Sequence, residues 1–276
     1  ADRYYYNGKE INIIERLPHI LKKIKSIKNI IIVNYPGKTY LKFEKINKIK
    51  INFWKEIIKT EEKKIEFKRF NFEHDLAILY SSGTTGKPKC ICHGVGGVLL
   101  QHNKELQLHS DVKDNDRVFY FTTCGWMMWN WMVSALASET TLVLYEGSPI
   151  FPNPLILFDI ADKEALTFFG ASAKYIDSLN KLKVNPKEKY NFDNLKVFAS
   201  TGSPLSPSSY DWVYSNVKGN LQLSSVSGGT DIVACFVHGN PCLPIRKGEI
   251  QCASLGMDVQ SWDDNGNRLI EEAGEL

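Results

Sequence analysis

Leu76-Ala77-Ile78-Leu79-Tyr80-Ser81-Ser82-Gly83-Thr84-Thr85-Gly86-Lys87-Pro88-Lys89 sets an apolar run directly against a loop of glycines, hydroxyls and lysines. The run from Leu76 to Tyr80 reads as a strand, and the loop after it has the composition of a phosphate site. Gly83 and Gly86 let the main chain approach an anion closely. The hydroxyls of Ser81, Ser82, Thr84 and Thr85 can donate to phosphate oxygens, and Lys87 and Lys89 supply positive charge. A plain Ser/Gly surface turn accounts for the glycines but not for the hydroxyls and both lysines together. This is not a Walker A loop, because Pro88 stands where that motif carries the Ser or Thr that binds magnesium.

Working outward, helical segments at 95–108, 126–138, 155–163, 173–182 and 206–215 alternate with short apolar runs at 118–121, 142–145, 167–169, 195–199 and 221–226. Such alternation predicts an α/β fold with a mostly parallel sheet covered by helices, and ligands collected beyond the carboxyl ends of its strands. Upstream, Ile11, Ile14, Leu17, Leu21 and Ile24 recur at helical spacing before the β-branched run Ile30 to Val33. Pro18 marks either the start of that helix or a kink. Lys42 to Lys68 reads as a surface excursion with one helical turn near Trp54.

The whole chain has 43% hydrophobic and 24% charged residues with a net charge of +3, which argues against disorder and against a nucleic-acid surface. One continuous domain over residues 1–276 is expected. Its six scattered cysteines suit reduced thiols in the cytosol. Cys90, Cys92 and His93 lack a second pair at zinc-site spacing. No apolar run reaches the roughly 18 to 20 residues needed to span a bilayer. Ala1 in place of an initiator Met, and an abrupt end at Gly274-Glu275-Leu276, read as incompleteness at both ends.

Two further motifs follow predicted strands: Gly202-Ser203-Pro204, a common turn sequence, and Gly229-Thr230-Asp231. Between the loop and these lies Gly125-Trp126-Met127-Met128-Trp129-Asn130-Trp131, dense in tryptophan and methionine. A buried helix accounts for at least one of the three indoles.

In this order the motifs resemble those of the adenylate-forming superfamily, which includes acyl-CoA synthetases, nonribosomal adenylation domains and luciferases. The likeness runs over essentially the whole chain and implies part of the superfamily's large N-terminal domain, with its mobile C-terminal domain absent. It implies that residues Ser81 to Lys89 hold the ATP phosphates, and that Gly202, Ser203 and Pro204, with Gly228 and Gly229, pack on adenine. Thr230 is implied to contact the α-phosphate and Asp231 to hold Mg2+, although the usual acid there is the longer Glu. Lys247 to Ile250 and Gly274 to Leu276 resemble strand beginnings of a following subdomain.

Trp126, Met127, Trp129 and Gly228 are implied to form the acyl pocket, and the cluster resembles that of the acetoacetate-activating members. Acetate-activating members carry Trp where Gly228 stands, so glycine would leave room for a longer acid, with an indole N–H of Trp126 or Trp129 as a donor to its ketone. The implied co-substrate is coenzyme A. A ribose-binding Asp and an adenylation Lys are expected beyond Leu276, leaving the chain by itself inactive. The alternatives are a ligase for another short carboxylate, or a truncated ATP-binding module without activity.

Overall fold

Residues 1–38, 49–59, 64–81 and 86–276 are described in a computed structural model of the chain. Their contacts separate two units, Ala1–Arg69 with Tyr145–Asn153 and Phe70–Leu144 with Pro154–Leu276. In the first, β1 (Arg3–Tyr6) and β2 (Lys9–Asn12) form an antiparallel hairpin. Its turn, Asn7-Gly8, has φ of 51° and 74°, the left-handed pair that Asn-Gly adopts most easily. Ile11 therefore belongs to a strand, and the helical spacing becomes a helix only at α1 (Leu17–Lys23). Pro18 lies in its first turn, so it starts the helix where its missing N–H leaves no bond unmade. β3 (Asn29–Ile32) pairs in parallel with β4 (Lys50–Phe53), and α2 (Trp54–Ile57) is the turn expected near Trp54.

The second unit begins with β5 (Asp75–Ser81) and β6 (Lys89–Gly94), which pair antiparallel. The expected order of strand, loop and helix is thereby corrected. The loop joins two strands, with Tyr80 opposite Cys90 and Ser81 opposite Lys89. Lys89–Gly94 offers Ile91 as its one β-branched residue, too little to announce a strand. Among the described residues β5 pairs only with β6 and stands outside the parallel sheet.

There follow α3 (Val95–Asn103), continued as a π-helix over Lys104–His109, then β7 (Arg117–Tyr120), α4 (Met127–Ser134) and β8 (Thr141–Leu142). The remaining crossovers are α5 (Ile156–Lys163), β9 (Phe168–Ser172), α6 (Ala173–Lys181), β10 (Val197–Thr201), α7 (Pro207–Asn216) and β11 (Gln222–Ser225). Five strands form one sheet in the order β11-β10-β9-β7-β8, every pair parallel. The α/β class with a helix-covered parallel sheet is borne out.

Packing explains why β9 and β10 are buried along nearly their whole length, since helices cover both faces of a parallel sheet. Phe169 sits at the centre, its ring centroid 4.7 Å from that of Phe198 and 5.5 Å from those of Phe119 and Phe158. Gly170 has no side chain because Tyr120 lies over it: a Cβ there would come within 2.1 Å of the Tyr120 ring.

After β11 the chain turns to antiparallel pairing. β12 (Ser227–Gly229), β13 (Ala234–His238) and β14 (Cys252–Ala253) form a three-stranded sheet, and β15 (Ser261–Trp262) pairs with β16 (Arg268–Leu269). Lys247–Ile250 is not the strand beginning expected. It is a turn, with Gly248 at φ 81°. Glu275 does reach a strand, bridging to Trp262. No helix among the described residues is long and apolar enough to cross a membrane.

Two histidines are enclosed where the π-helix meets β13. His109 Nε2 accepts from the Leu255 amide at 2.9 Å, so its proton is on Nδ1, which donates to the Gly239 carbonyl at 2.7 Å. His238 lies 5.0 Å away ring to ring, and its Nδ1 has no hydrogen-bond partner among the described residues. Burial, and then the neighbouring His109, push the His238 pKa down to about 3. The unfolded chain takes up that proton near pH 6.5, whereas the folded one does not until about 3, so stability falls as pH falls through this window. Between pH 8 and pH 5 the loss from this one group is about 2 kcal/mol. In denaturation curves at the two pH values, His238→Leu is expected to show a smaller acid-induced loss than the wild type by about that amount.

Candidate active site

At the carboxyl edge of the parallel sheet, β10 runs into Gly202-Ser203-Pro204, where Gly202 takes φ 92°, a conformation that a side chain would strain. β11 runs into Val226 and then the Ser227–Gly229 strand. The two chain ends are tied together: Thr201 Oγ1 donates to the Val226 carbonyl at 2.8 Å, and the Val226 amide donates to the Ser200 carbonyl at 2.8 Å. Between them and the start of α4 lies a cavity of about 430 Å³. Gly202, Ser203 and Pro204 line one side, Gly228, Gly229 and Thr230 another, and Trp126, Met127 and Met128 a third. Three motifs distant in sequence meet in one space.

Trp126 precedes α4 with an extended backbone, its ring edge-on to Tyr120 at 6.0 Å between centroids. A Cβ on Gly202 would stand 3.9 Å from its Cζ2, so the edge of the indole lies beside the Gly202 turn. The other two tryptophans are turned elsewhere. Trp129 packs on the core outside the cavity wall, and Trp131 is buried with its indole N–H donating to Glu105 Oε2 at 2.9 Å. Of the two indoles considered as donors, Trp126 is the one that lines the cavity.

Thr230 is held from behind. His93, on β6 just after the Gly/Ser/Thr/Lys loop, places Nε2 2.9 Å from the Thr230 carbonyl; a carbonyl only accepts, so that nitrogen carries the proton. His93 is buried while Cys90 and Cys92 are exposed, so the three do not converge as metal ligands. His102 Nε2 donates to the Val233 carbonyl at 2.6 Å, and its Nδ1 lies 2.7 Å from Ser134 Oγ. Burial lowers the His102 pKa, favouring the neutral form in which the Ser134 hydroxyl donates to Nδ1.

Asp231 is exposed and follows Thr230 of the cavity wall without lining it, its Oδ2 3.9 Å from where a Cβ on Gly229 would stand. A lone exposed carboxylate suits magnesium, which keeps several waters and takes one or two carboxylates together with phosphate oxygens. Glu105, Cys235 and His238 bring ligand atoms within 4.8 Å of one another, but this group does not suit magnesium. Its thiol is a soft donor and its imidazole a borderline one, and Lys104 Nζ stands 3.6 Å from Glu105 Oε1. In the loop expected to bind phosphate, Ser81 ends β5, and Gly86, Lys87 and Lys89 are exposed near the start of β6. Ser82, Gly83, Thr84 and Thr85 lie outside the described residues.

Gly228 has a different reason for being glycine from the one expected. A Cβ there would stand 2.1 Å from the Ala234 carbonyl oxygen and 2.8 Å from Cys235 Cα, pointing into the paired strand β13. The absent side chain lets β12 and β13 close on each other at a register shift between Ser227 and Gly228. Residues of the site not singled out from sequence include Leu205, Ala234, Cys235 and Ile250 in the wall, and His102 and Glu105 behind it. The last two carried a signal, as polar residues within an apolar helical segment.

The family model described as AMP-binding enzyme matches residues 9–276. The chain is 42% identical over 277 residues to an acetoacetyl-CoA synthetase of Gallus gallus, covering 98% of this chain and 41% of that protein. It is 45% identical over 276 residues to an acetoacetyl-coenzyme A synthetase of Rhizobium meliloti (strain 1021), covering 100% of this chain and 42% of that protein. The solved acetoacetyl-CoA synthetase from Streptomyces lividans superposes with a TM-score of 0.89 at 37% identity, over 100% of this chain and 42% of that one. The chain thus spans about two fifths of the length of the relatives it matches.

The two neighbouring glycines are expected to behave differently. Gly228→Ala drives a Cβ into the Ala234 carbonyl, whereas the nearest atoms to a Cβ on Gly229 are 3.8 Å away. Chemical denaturation should show Gly228→Ala destabilised by about 1–3 kcal/mol and Gly229→Ala by much less.

Proposed function

Because the chain belongs to the AMP-binding enzyme family, we propose that the full-length protein is an ATP-dependent ligase joining acetoacetate to coenzyme A, with AMP and pyrophosphate released. The observation that carries this reading is the meeting of Gly202–Pro204, Gly228–Thr230 and Trp126–Met128 in one cavity at the carboxyl edge of the sheet. The identity of the acid is read from the two relatives and the solved structure, all named for acetoacetate. A cytosolic setting accompanies it, supported by six free cysteines.

A carboxylate repels nucleophiles and has no adequate leaving group, and adenylation removes both obstacles. A carboxylate oxygen attacks the α-phosphorus of ATP while the bond to pyrophosphate breaks. The sulfur of coenzyme A, having lost its proton, then attacks the acyl carbon as the bond to AMP breaks. In this reading the Gly202–Pro204 turn and Gly228–Gly229 flank the adenine, the Thr230 hydroxyl donates to an α-phosphate oxygen, and Trp126 and Met127 bound the acid. Ser81 to Lys89 hold the remaining phosphates. Asp231 would hold Mg2+, which supplies charge neutralisation at the phosphates. Catalysis is then positioning and charge stabilisation, with no covalent nucleophile from the protein.

The test is acyl-CoA and AMP formation by the full-length protein with acetoacetate, butyrate and acetate compared. Acetoacetate is expected to be preferred. If the Trp126 indole N–H serves the ketone, Trp126→Phe should narrow the preference for acetoacetate over butyrate by roughly fivefold, the worth of about 1 kcal/mol. An unchanged ratio removes Trp126 from that role, and turnover confined to another acid overturns the choice of substrate.

A further inference from the structure

Behind the cavity, one side chain touches both of its long walls. Glu105 lies on the π-helical stretch Lys104–His109, wholly buried. Its Oε2 accepts from the Trp131 indole N–H at 2.9 Å, and its Oε1 from the main-chain N–H of Cys235 at 2.8 Å. Trp131 stands one helical turn beyond Met127 on α4, whose beginning forms the wall of Trp126, Met127 and Met128. Cys235 lines the opposite side and is the strand partner of Gly228. The span from α4 to β13 is thus bridged by one carboxyl group, beside the His102 bridge from Ser134 to Val233, with Gln101 Nε2 at 3.3 Å, Lys104 Nζ at 3.6 Å and the Cys235 thiol and a His238 ring nitrogen within 4.8 Å around it.

The geometry suits a spacer. Both contacts are buried, so neither donor can exchange Glu105 for water, and removing the acceptor leaves an indole N–H and a main-chain N–H unpaired in a dry interior. A π-helical turn rotates the face that a helix presents, and here Glu105, Leu106 and His109 are all turned inward. We propose that Glu105 is a positioning residue that fixes the separation of the Trp126–Met128 wall from the Gly228–Cys235 wall, and with it the size of acid accepted. The inference rests on the ligase reading for the acid, while the wall separation does not depend on it.

The experiment uses the full-length protein and the variants Glu105→Gln, Trp131→Phe and the double substitution. In Glu105→Gln an amide N–H faces a donor, so KM for acetoacetate is expected to rise about tenfold and the preference over butyrate to narrow, with KM for ATP within about twofold of wild type. In the double variant the indole N–H is gone while the amide oxygen still accepts from Cys235, so selectivity should return toward wild type. A second readout is independent of turnover: the alkylation rate of Cys235 by iodoacetamide, followed by peptide mass spectrometry against the exposed Cys90, Cys124 and Cys242. Trp131→Phe frees one wall without removing the carboxylate, and Cys235 should react faster in it and in Glu105→Gln. Unchanged Cys235 protection in both single variants overturns the inference. So does a fall in activity that affects all acids and ATP alike and follows the loss of thermal midpoint. If the wild type turns over no acid, the ligase reading fails and the Cys235 rates still decide the role of Glu105.

Discussion

β9 and β10 are covered on both faces, and most of the second unit follows from that burial. With Phe169 enclosed by Phe119, Phe158 and Phe198, an unpaired polar group in mid-strand is costly, and Ser200 Oγ of β10 is buried with no hydrogen-bond partner among the described residues. The main chain answers its own donors and acceptors through the parallel ladder. Side chains that must meet water or substrate are thereby displaced to the ends of the strands. The carboxyl end of β10 leads into the Gly202–Pro204 turn and that of β11 through Val226 into β12, and there the cavity opens.

Those turns have few main-chain partners of their own, and a second layer supplies them. The segment from β6 through α3 and the π-helix sends His93 to the Thr230 carbonyl and His102 to the Val233 carbonyl. Glu105 meets the Cys235 amide, and His109 the Gly239 carbonyl and the Leu255 amide. Each bond is largely shielded, so each side chain acts as a fixed strut for an irregular stretch that a regular ladder cannot hold. Three of the four are histidines. A neutral imidazole can donate from one nitrogen and accept at the other, as His109 does, which suits it to sites where donors and acceptors alternate.

The parallel alternation was legible because buried strands and covering helices each leave a periodic trace, and Phe168–Ser172 and Val197–Thr201 lie close to where that trace places them. Gly202–Pro204 and Gly228–Thr230 were legible as well, since turns at strand ends need residues of unusual conformation or close approach. What was hidden shares one cause, which is dependence on pairing distant in space. Lys89–Gly94 is a strand because Asp75–Ser81 pairs with it, not because of its own composition. The register shift at Gly228, the inward turn of Glu105 and the place of Cys235 in the wall likewise depend on partners more than a hundred positions away or on main-chain approach. Among the tryptophans, sequence showed a cluster but not which indole faced the cavity, because the N-terminal boundary of α4 determines that choice.

The geometry at Gly228 changes how the size of this cavity should be understood. Had the glycine simply left a vacancy facing the cavity, the cavity's size would be governed by one missing side chain. Its missing Cβ points at Ala234 and Cys235 instead, so the glycine governs how closely β12 and β13 approach. The position of β13 is in turn bonded through Glu105 to Trp131 and the helix that begins beside Trp126. The cavity's dimensions are therefore a property of two linked main-chain segments, each with a packing constraint on its far side. A substitution at Gly228 alone would move β13 and strain the Glu105 bonds before it filled any space. In the ligase reading, a change in the size of acid accepted requires both bonded walls to shift together.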